Sequence, residues 1–295
     1  MIIQFLHPGK QYEIERGQAN RGYRFFDGDQ QSGILYWSSL DSHRRKYIRT
    51  SGNQINALGG PLLENQELVF WGEWEAHSVF TLIGGQNGGS EHPQHIHQPF
   101  ISREHEGSQN TDPFVFGDCF VYSNCLQSFR TMRGLPDGSL IIFGSEIPVN
   151  GADSFVLDTV FVVQDSLPLD RGHLQNIQDR TSEVFKDAVL RKIDVNGHHR
   201  IYFSTTYGSG KREYYSYFPC RPHNAGVMLR PALPARKFDL KTPGSHQGIH
   251  IVQRGCLQYW RLLTDHLLNT GYSLGVKAHL PQRTNIRDTY GQHFA

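Results

Sequence analysis

Short apolar segments, separated by turn-forming residues, run through most of the chain and restrict its fold more than any other feature. The segments are rich in β-branched and aromatic residues, and Gly, Pro, Asn or Asp lies beside each of them. Such a pattern is typical of β-strands. It predicts strands at residues 2–6, 34–37, 67–71, 78–83, 114–122, 139–144, 155–163 and 200–205.

Only two segments, residues 182–193 and 257–268, place their apolar residues at helical spacing, and Gly271 follows the second one as a stop signal. Residues 156–163 are almost continuously apolar, which indicates a central strand that is covered on both faces. Strands and helices do not alternate, so a doubly wound parallel sheet is not expected. We therefore predict an α+β protein with a mostly antiparallel or mixed β-sheet or barrel and a few peripheral helices.

One turn-rich stretch, residues 145–153, offers a candidate domain boundary. It would divide the chain into a β-rich domain at residues 1–150 and an α+β part at residues 151–295. A single intertwined domain is the open alternative.

The composition excludes several classes of protein. With 295 residues, 38% of them hydrophobic and 19% charged, the chain can bury a core without disulfides and is too apolar to be disordered. A net charge of +1 excludes a globally basic nucleic-acid coat protein, although a local basic groove is still compatible with it. No apolar run approaches 18 residues, no secretion signal is readable, and the four cysteines are scattered. We expect a reduced, cytoplasmic protein that does not associate with membranes.

A polar stretch of about thirty residues, 84–113, separates two predicted strands, and loops of this length are usually functional or disordered. In an extended segment His95 and His97 share a face, as do Glu73 and Glu75 ahead of the stretch. Two imidazoles and the Asp112 carboxylate suit zinc or another divalent metal. We predict His95, His97 and Asp112 as ligands, with Glu73 or Glu75 as general base. A solvated loop is the alternative, and the compact zinc-enzyme motifs are absent.

Aromatic and amide side chains near the same stretch suit a nucleic-acid base. Trp71 or Trp74 can stack on it, while Asp112, Asn124 and Gln127 can form hydrogen bonds with its edge. The two tryptophans are three residues apart, so on a regular strand they point to opposite faces, and at least one is expected outside the core. The alternative is that both are ordinary strand-forming residues.

The densest positive run of the chain lies at residues 43–49. Arg44, Arg45 and Lys46 in this run are predicted to hold phosphate, although a solvated turn would have the same composition. Asp158 lies inside an apolar strand and must be paired or hydrogen-bonded there. A structural bond and an orienting or basic role remain equally open for it.

Residues 116–125, with the sequence FGDCFVYSNC, resemble the central strand of EVE domains. These belong to the PUA-like superfamily, together with the YTH and ASCH domains, and form small β-barrels that bind nucleic acids, often at modified bases. The resemblance implies a PUA-like barrel and a base-binding pocket. Residues 70–75 and 111–117 also look like parts of uncharacterised prokaryotic proteins associated with DNA modification and phage defence.

These patterns favour binding of a nucleotide or a modified nucleic-acid base, in a modification or phage-defence context. The predicted cleft lies between residues 71–75, the 84–113 stretch and the strand at 114–125. One alternative is a metal-dependent hydrolase, nuclease or nucleotide transferase that uses the His-rich stretch. A second alternative is a subunit whose aromatic surface contacts another protein.

Overall fold

The computed structural model describes residues 1–7, 23–25, 32–35, 43–83, 92–102, 111–146, 154–193, 195, 197–241 and 248–285. Within these ranges the chain is mostly β-sheet, with four α-helices and mixed or antiparallel strand pairing. The α+β class expected from the sequence is therefore confirmed.

The strands are numbered along the chain. They are β1 (Ile2–His7), β2 (Tyr23–Phe25), β3 (Ser32–Leu35), β4 (Arg45–Ile55), β5 (Leu63–Glu73), β6 (Ser78–Leu82), β7 (His95–Pro99), β8 (Ile101–Ser102), β9 (Val121–Tyr122), β10 (Leu140–Glu146), β11 (Ser154–Pro168), β12 (Arg200–Ser204), β13 (Phe218–Pro222), β14 (Ala232–Pro234), β15 (Gly248–Val252), β16 (Ser273–Ala278) and β17 (Arg283–Thr284). The helices are α1 (Leu174–Asp179), α2 (Glu183–Ala188), α3 (Ala235–Phe238) and α4 (Cys256–Asn269).

The first large sheet has the strand order β15-β1-β10-β11-β12-β9, and β14 pairs with β11 beside this path. Strand β1 runs parallel to β10 and antiparallel to β15. Strands β10 and β11 form an antiparallel pair. The sheet is therefore mixed, and β11 lies in its interior, as the apolar run at 156–163 predicted.

The second large sheet is built on the long antiparallel pair of β4 and β5. Its strand order is β16-β13-β5-β4-β7-β6-β3-β2, and β16 also pairs with β4. Four strands, β4, β5, β13 and β16, thus close into a ring. A short parallel pair of β8 and β17 forms a third sheet.

Both large sheets take strands from both sides of residues 145–153. In the first sheet β1 pairs with β15, and β10 pairs with β11. In the second sheet β5 pairs with β13, and β4 pairs with β16. Residues 147–153 themselves lie outside the described part of the chain.

Two apolar cores cover the two faces of the first sheet. Phe161 and Val163 of β11 lie in the core that the first sheet shares with the second one. Val160 and Val162 of the same strand lie in the opposite core, which contains Trp260 of α4. Because both faces of β11 are buried, its sequence lacks the apolar–polar alternation of a half-exposed strand.

Most of the predicted elements are present, with shifts at their ends. Helix α4 covers the helix predicted at 257–268. The helix predicted at 182–193 is divided into α2 and a 3-10 turn at Leu190–Lys192. No helix in the described ranges has the length and apolarity needed to cross a membrane. Residues 36 and 37 of one predicted strand lie outside those ranges.

Two predictions were wrong. Residues 114–122 do not form one strand, because Phe114 and Val121 pair with each other across a turn in which Gly117 has a φ of +84°. The stretch 84–113 is not one long loop, because residues 95–99 form β7 between β4 and β6. Residues 84–91 and 103–110 of that stretch lie outside the described part.

Candidate functional site

The candidate site begins where β4 starts and β5 ends. In the antiparallel register Arg45 lies directly opposite Glu73, so both side chains are on the same face of the sheet. Both are buried, and Arg45 Nη1 donates to Glu73 Oε2 at 2.6 Å. This contact fixes one carboxylate oxygen of Glu73.

His43 lies two residues ahead of Arg45, next to the other oxygen of Glu73. Its Nδ1 is 3.3 Å from Glu73 Oε1 and 3.6 Å from Glu75 Oε1. Its backbone N–H donates to Glu75 Oε1 at 2.7 Å. The side chain of His43 is 36% exposed, whereas those of Glu73 and Glu75 are 1% and 3% exposed. The imidazole therefore forms the open side of a group whose carboxylates lie inside the protein.

The charges in this group influence one another strongly. Burial and the neighbouring Glu73 raise the pKa of Glu75 to about 8. The hydrogen bond to Glu73 raises the pKa of His43 above its usual value, against the opposing effect of burial. A positive charge beside the two carboxylates, or a proton on Glu75, reduces their mutual repulsion.

Arg45 connects the group to the first sheet. Its Nε donates to Asp158 Oδ2 at 2.5 Å, and Arg230 Nη2 donates to Asp158 Oδ1 at 2.9 Å. Burial alone would lower the pKa of Arg45, but Asp158 and Glu73 outweigh it and raise that pKa. The buried Asp158 is therefore paired, as the sequence required, with two guanidinium groups.

His43, Glu73 and Glu75 have the spacing of metal ligands. Their ligand atoms all lie within 4.8 Å of one another, and no other group of three or more His, Cys, Asp or Glu residues in the described ranges does so. Atoms that bind a tetrahedral ion at about 2.0–2.2 Å are separated by about 3.3–3.6 Å. The two distances from His43 Nδ1 fall in that interval.

The predicted metal ligands His95 and His97 lie elsewhere. As expected they share a face of β7, but this face is buried, and both imidazoles contact the ring of Phe80. His97 Nδ1 is 3.0 Å from Ser78 Oγ. Burial lowers the pKa of His95 to about 4 and also lowers that of His97. Among the described residues they do not form a ligand group with Asp112.

Asp112 has a different environment from the one predicted for a ligand or an edge-reading group. Its Oδ1 accepts from the backbone N–H and hydroxyl of Ser123, both at 2.9 Å. Its Oδ2 accepts from the backbone N–H groups of Asn124 and Cys125 at 2.8 and 2.9 Å. Four donors thus occupy the carboxylate, which holds the 123–125 turn in place.

The two predicted base-stacking residues are both in the core, and the expectation that one lies outside it was wrong. Trp71 packs with Tyr47, Val69 and Met228, and its Nε1 donates to Met228 O. Trp74 lies between the sheets, and its Nε1 donates to His77 O. Both faces of β5 are covered here, so neither indole presents a surface on which a base could stack.

The remaining predicted binding residues also differ in accessibility. Lys46 is buried and donates to Trp74 O at 2.6 Å. The amide of Gln127 is buried and bonds to both backbone groups of Arg200. Asn124 and Arg44 are half-buried. Of the three predicted phosphate-binding cations, Arg45 and Lys46 are buried, and Arg44 is the most exposed one.

The site therefore contains four residues that the sequence pointed to, namely Glu73 and Glu75, Asp158, and Arg45, which was predicted to hold phosphate. It also contains two that the sequence missed, His43 as a ligand and Arg230 as a charge partner. Residue 43 extends the register of Arg45 and Glu73 to a place opposite residue 75, and only the structure shows this register.

The fold and the site define a class: an α+β protein with two large sheets and, at the end of a strand pair, two buried glutamates beside a half-exposed histidine. Compared with protein-family models, curated proteins and solved structures, the chain has no match that would assign it more narrowly.

Proposed function

We propose that this protein is a divalent-cation-dependent enzyme that acts on a nucleotide or on a base of a nucleic acid. The observation that carries the proposal is that His43 Nδ1 lies 3.3 Å from Glu73 Oε1 and 3.6 Å from Glu75 Oε1, with ligand atoms of all three residues within 4.8 Å of one another. An imidazole with two carboxylates suits zinc, manganese or iron.

The residues around the three ligands have the properties that such a site needs. Arg45 bonds to Glu73 Oε2 and so turns Oε1 toward His43, as supporting hydrogen bonds do for metal-binding carboxylates. The backbone N–H of His43 donates to Glu75 Oε1 and so holds that carboxylate beside the imidazole. A bound cation would supply an activated water and would polarise a phosphoryl oxygen.

The substrate class is supported by two features of different kinds. Arg44 is adjacent to His43 in sequence and is half-buried, and its guanidinium is the group proposed to bind a phosphate of the substrate. The sequence resemblance to EVE and other PUA-like domains, and to proteins of DNA modification and phage defence, favours a nucleotide or a modified base.

A PUA-like barrel is the finer fold assignment within this proposal. The ring of β4, β5, β13 and β16 supports a barrel-like core. Residues 116–125, which carry the resemblance, lie outside this ring, in a turn and in β9. The segment therefore does not form the central strand that the resemblance implies, and the ring alone supports this assignment.

The proposal is tested by metal analysis of the purified protein and by titration of the metal-free protein with Mn²⁺, followed by electron paramagnetic resonance. We expect one ion per chain, and a loss of affinity of about a hundredfold in each of His43→Ala, Glu73→Gln and Glu75→Gln. His173→Ala is the matched control, because His173 is also an imidazole paired with a carboxylate, Asp170, but is exposed and distant in sequence. Wild-type protein that binds no ion stoichiometrically would contradict the proposal.

The substrate class is tested in the same preparation with nucleoside monophosphates and triphosphates and with short DNA and RNA. Binding that increases when Mn²⁺ is present and weakens in Arg44→Ala is expected. If metal binds but none of these probes does, the nucleotide part of the proposal fails and the metal part stands.

A further inference from the structure

A chain of buried charges connects the candidate site to the first sheet. Ser145 Oγ accepts from Arg230 Nη2 at 2.5 Å, and Arg230 Nη2 also donates to Asp158. Asp158 accepts from Arg45, and Arg45 donates to Glu73. Arg45 and Glu73 belong to the second sheet, whereas Ser145 and Asp158 belong to the first one.

The signs of these charges alternate along the chain of contacts. Arg230 and Arg45 carry two positive charges, and Asp158 and Glu73 can carry two negative ones. All four side chains are at most 3% exposed, so water screens their interactions weakly. A change of one charge in this group therefore changes the electrostatic potential at Glu73.

Asp158 has a specific effect in this arrangement. Without it, the positive charge of Arg45 would act on Glu73 alone and would oppose a cation at Glu73 Oε1. Because Asp158 accepts from Arg45 Nε while Glu73 accepts from Nη1, the guanidinium shares its charge between two carboxylates. Arg230 donates to the other oxygen of Asp158, and its positive charge weakens the effect of Asp158 on Arg45.

We infer that Asp158 is a positioning residue of the cation site, which through Arg45 keeps the charge and orientation of Glu73 available to a divalent cation, and that Arg230 reduces this effect. This inference rests on the proposed function, because it concerns the cation that His43, Glu73 and Glu75 would hold. It also gives a role to the one buried carboxylate that the sequence singled out inside an apolar strand.

The test compares the Mn²⁺ affinity of wild-type protein with that of Asp158→Asn, Arg230→Met and the double variant. Asp158→Asn leaves an excess positive charge, so we expect its affinity to fall about tenfold or more. Arg230→Met leaves an excess negative charge, so its affinity is expected to equal or exceed that of the wild type. The double variant restores the balance and is expected to return to within about threefold of wild type.

A merely structural role gives a different result, because each substitution removes a buried contact and all three variants would then bind more weakly. Asp187→Asn is the matched control, since Asp187 is a buried carboxylate that pairs with Arg191 and Arg283 outside this network, and its Mn²⁺ affinity should not change. Thermal unfolding identifies variants that do not fold, and if Asp158→Asn is one of them, Arg230→Met and the double variant still decide the sign of the effect.

The two proposals fail in distinguishable ways. If wild-type protein binds Mn²⁺ and His43→Ala does not, the site is real, and an unchanged affinity in Asp158→Asn or a weakened one in Arg230→Met overturns the positioning role alone. If wild-type protein does not bind Mn²⁺, the proposed function and this inference fall together.

Discussion

His43 shows how the backbone conformation of one residue creates the candidate site. Its φ is +61°, in the left-handed region that non-glycine residues seldom adopt. The hydrogen bond from its backbone N–H to Glu75 Oε1 compensates for this conformation and directs the imidazole toward the two carboxylates. Positive φ at a half-exposed polar residue is common at functional sites, which agrees with the proposed role.

His95 leads to a prediction about acid stability. Because burial lowers its pKa to about 4 in the folded protein, the folded state binds a proton less readily than the unfolded state. The contribution of His95 to the free energy of unfolding is thus fully present above the unfolded pKa of about 6.5. It is lost as the pH falls from there toward the folded pKa. Between pH 7 and pH 5 this group should remove about 2 kcal/mol of the free energy of unfolding.

The measurement is urea unfolding of the wild type and His95→Gln at pH 7 and pH 5. The glutamine does not titrate, so the variant should lose about 2 kcal/mol less than the wild type over this interval. The comparison uses the change between the two pH values, so a constant cost of the substitution cancels. An equal loss in both proteins would show that the imidazole of His95 titrates normally.

At the scale of elements, strand β11 approaches Gly144 of β10 so closely that no space is left for a side chain there. A Cβ added to Gly144 of β10 would lie 2.2 Å from the backbone oxygen of Val156 and 2.5 Å from the ring of Phe155. The register also shifts between Phe143 and Gly144. Gly144→Ala must therefore displace β11 and should destabilise the protein by about 3 kcal/mol.

Gly248→Ala is the matched control for this prediction. Gly248 is also in a strand of the first sheet, but there, among the residues that the structure describes, an added Cβ would meet only Leu6 Cδ1 at 4.0 Å. It should change the free energy of unfolding by less than about 1 kcal/mol. Urea titration of both variants decides the question, and equal effects would mean that β10 and β11 tolerate the added methyl group.

The elements that could be predicted from the sequence are those whose local pattern and burial agree. Strand β11 and helix α4 are examples. A strand that is covered on both faces has a continuous apolar run, and a helix that is covered on one face has apolar residues at helical spacing, so both can be read from the sequence. Residues 114–122 have the same kind of apolar run, but Gly117 reverses the chain within it. A glycine inside an apolar run does not by itself show whether the chain turns.

The candidate site could be predicted only in part. Glu73 and Glu75 were found because alternate residues of an extended segment share a side. His43 was assigned to a phosphate-binding run, since its place opposite Glu75 depends on the register of β4 and β5, which the intervening loop does not reveal. His95 and His97 were predicted as ligands because they share a face, but that face packs on Phe80.

At the scale of the whole molecule, the candidate site depends on both sheets. Glu73 and Arg45 come from the second sheet, whereas Asp158 comes from β11 of the first sheet. The core between the sheets contains Phe70 from the first half of the chain and Phe161 and Phe218 from the second half. A change in how the sheets pack should therefore change the site.

This shared construction predicts that residues 1–150 and 151–295 do not fold when each is expressed alone. The first fragment would leave β10 without β11, β5 without β13 and β4 without β16, and its half of the core would be exposed. Neither fragment should give a dispersed amide NMR spectrum or cooperative thermal unfolding, whereas the full chain should give both. Co-expression of the two fragments should yield a soluble complex that unfolds cooperatively, because each fragment supplies the strands and core residues that the other lacks. A dispersed spectrum from residues 1–150 alone would mean that the chain divides into two domains despite the shared sheets.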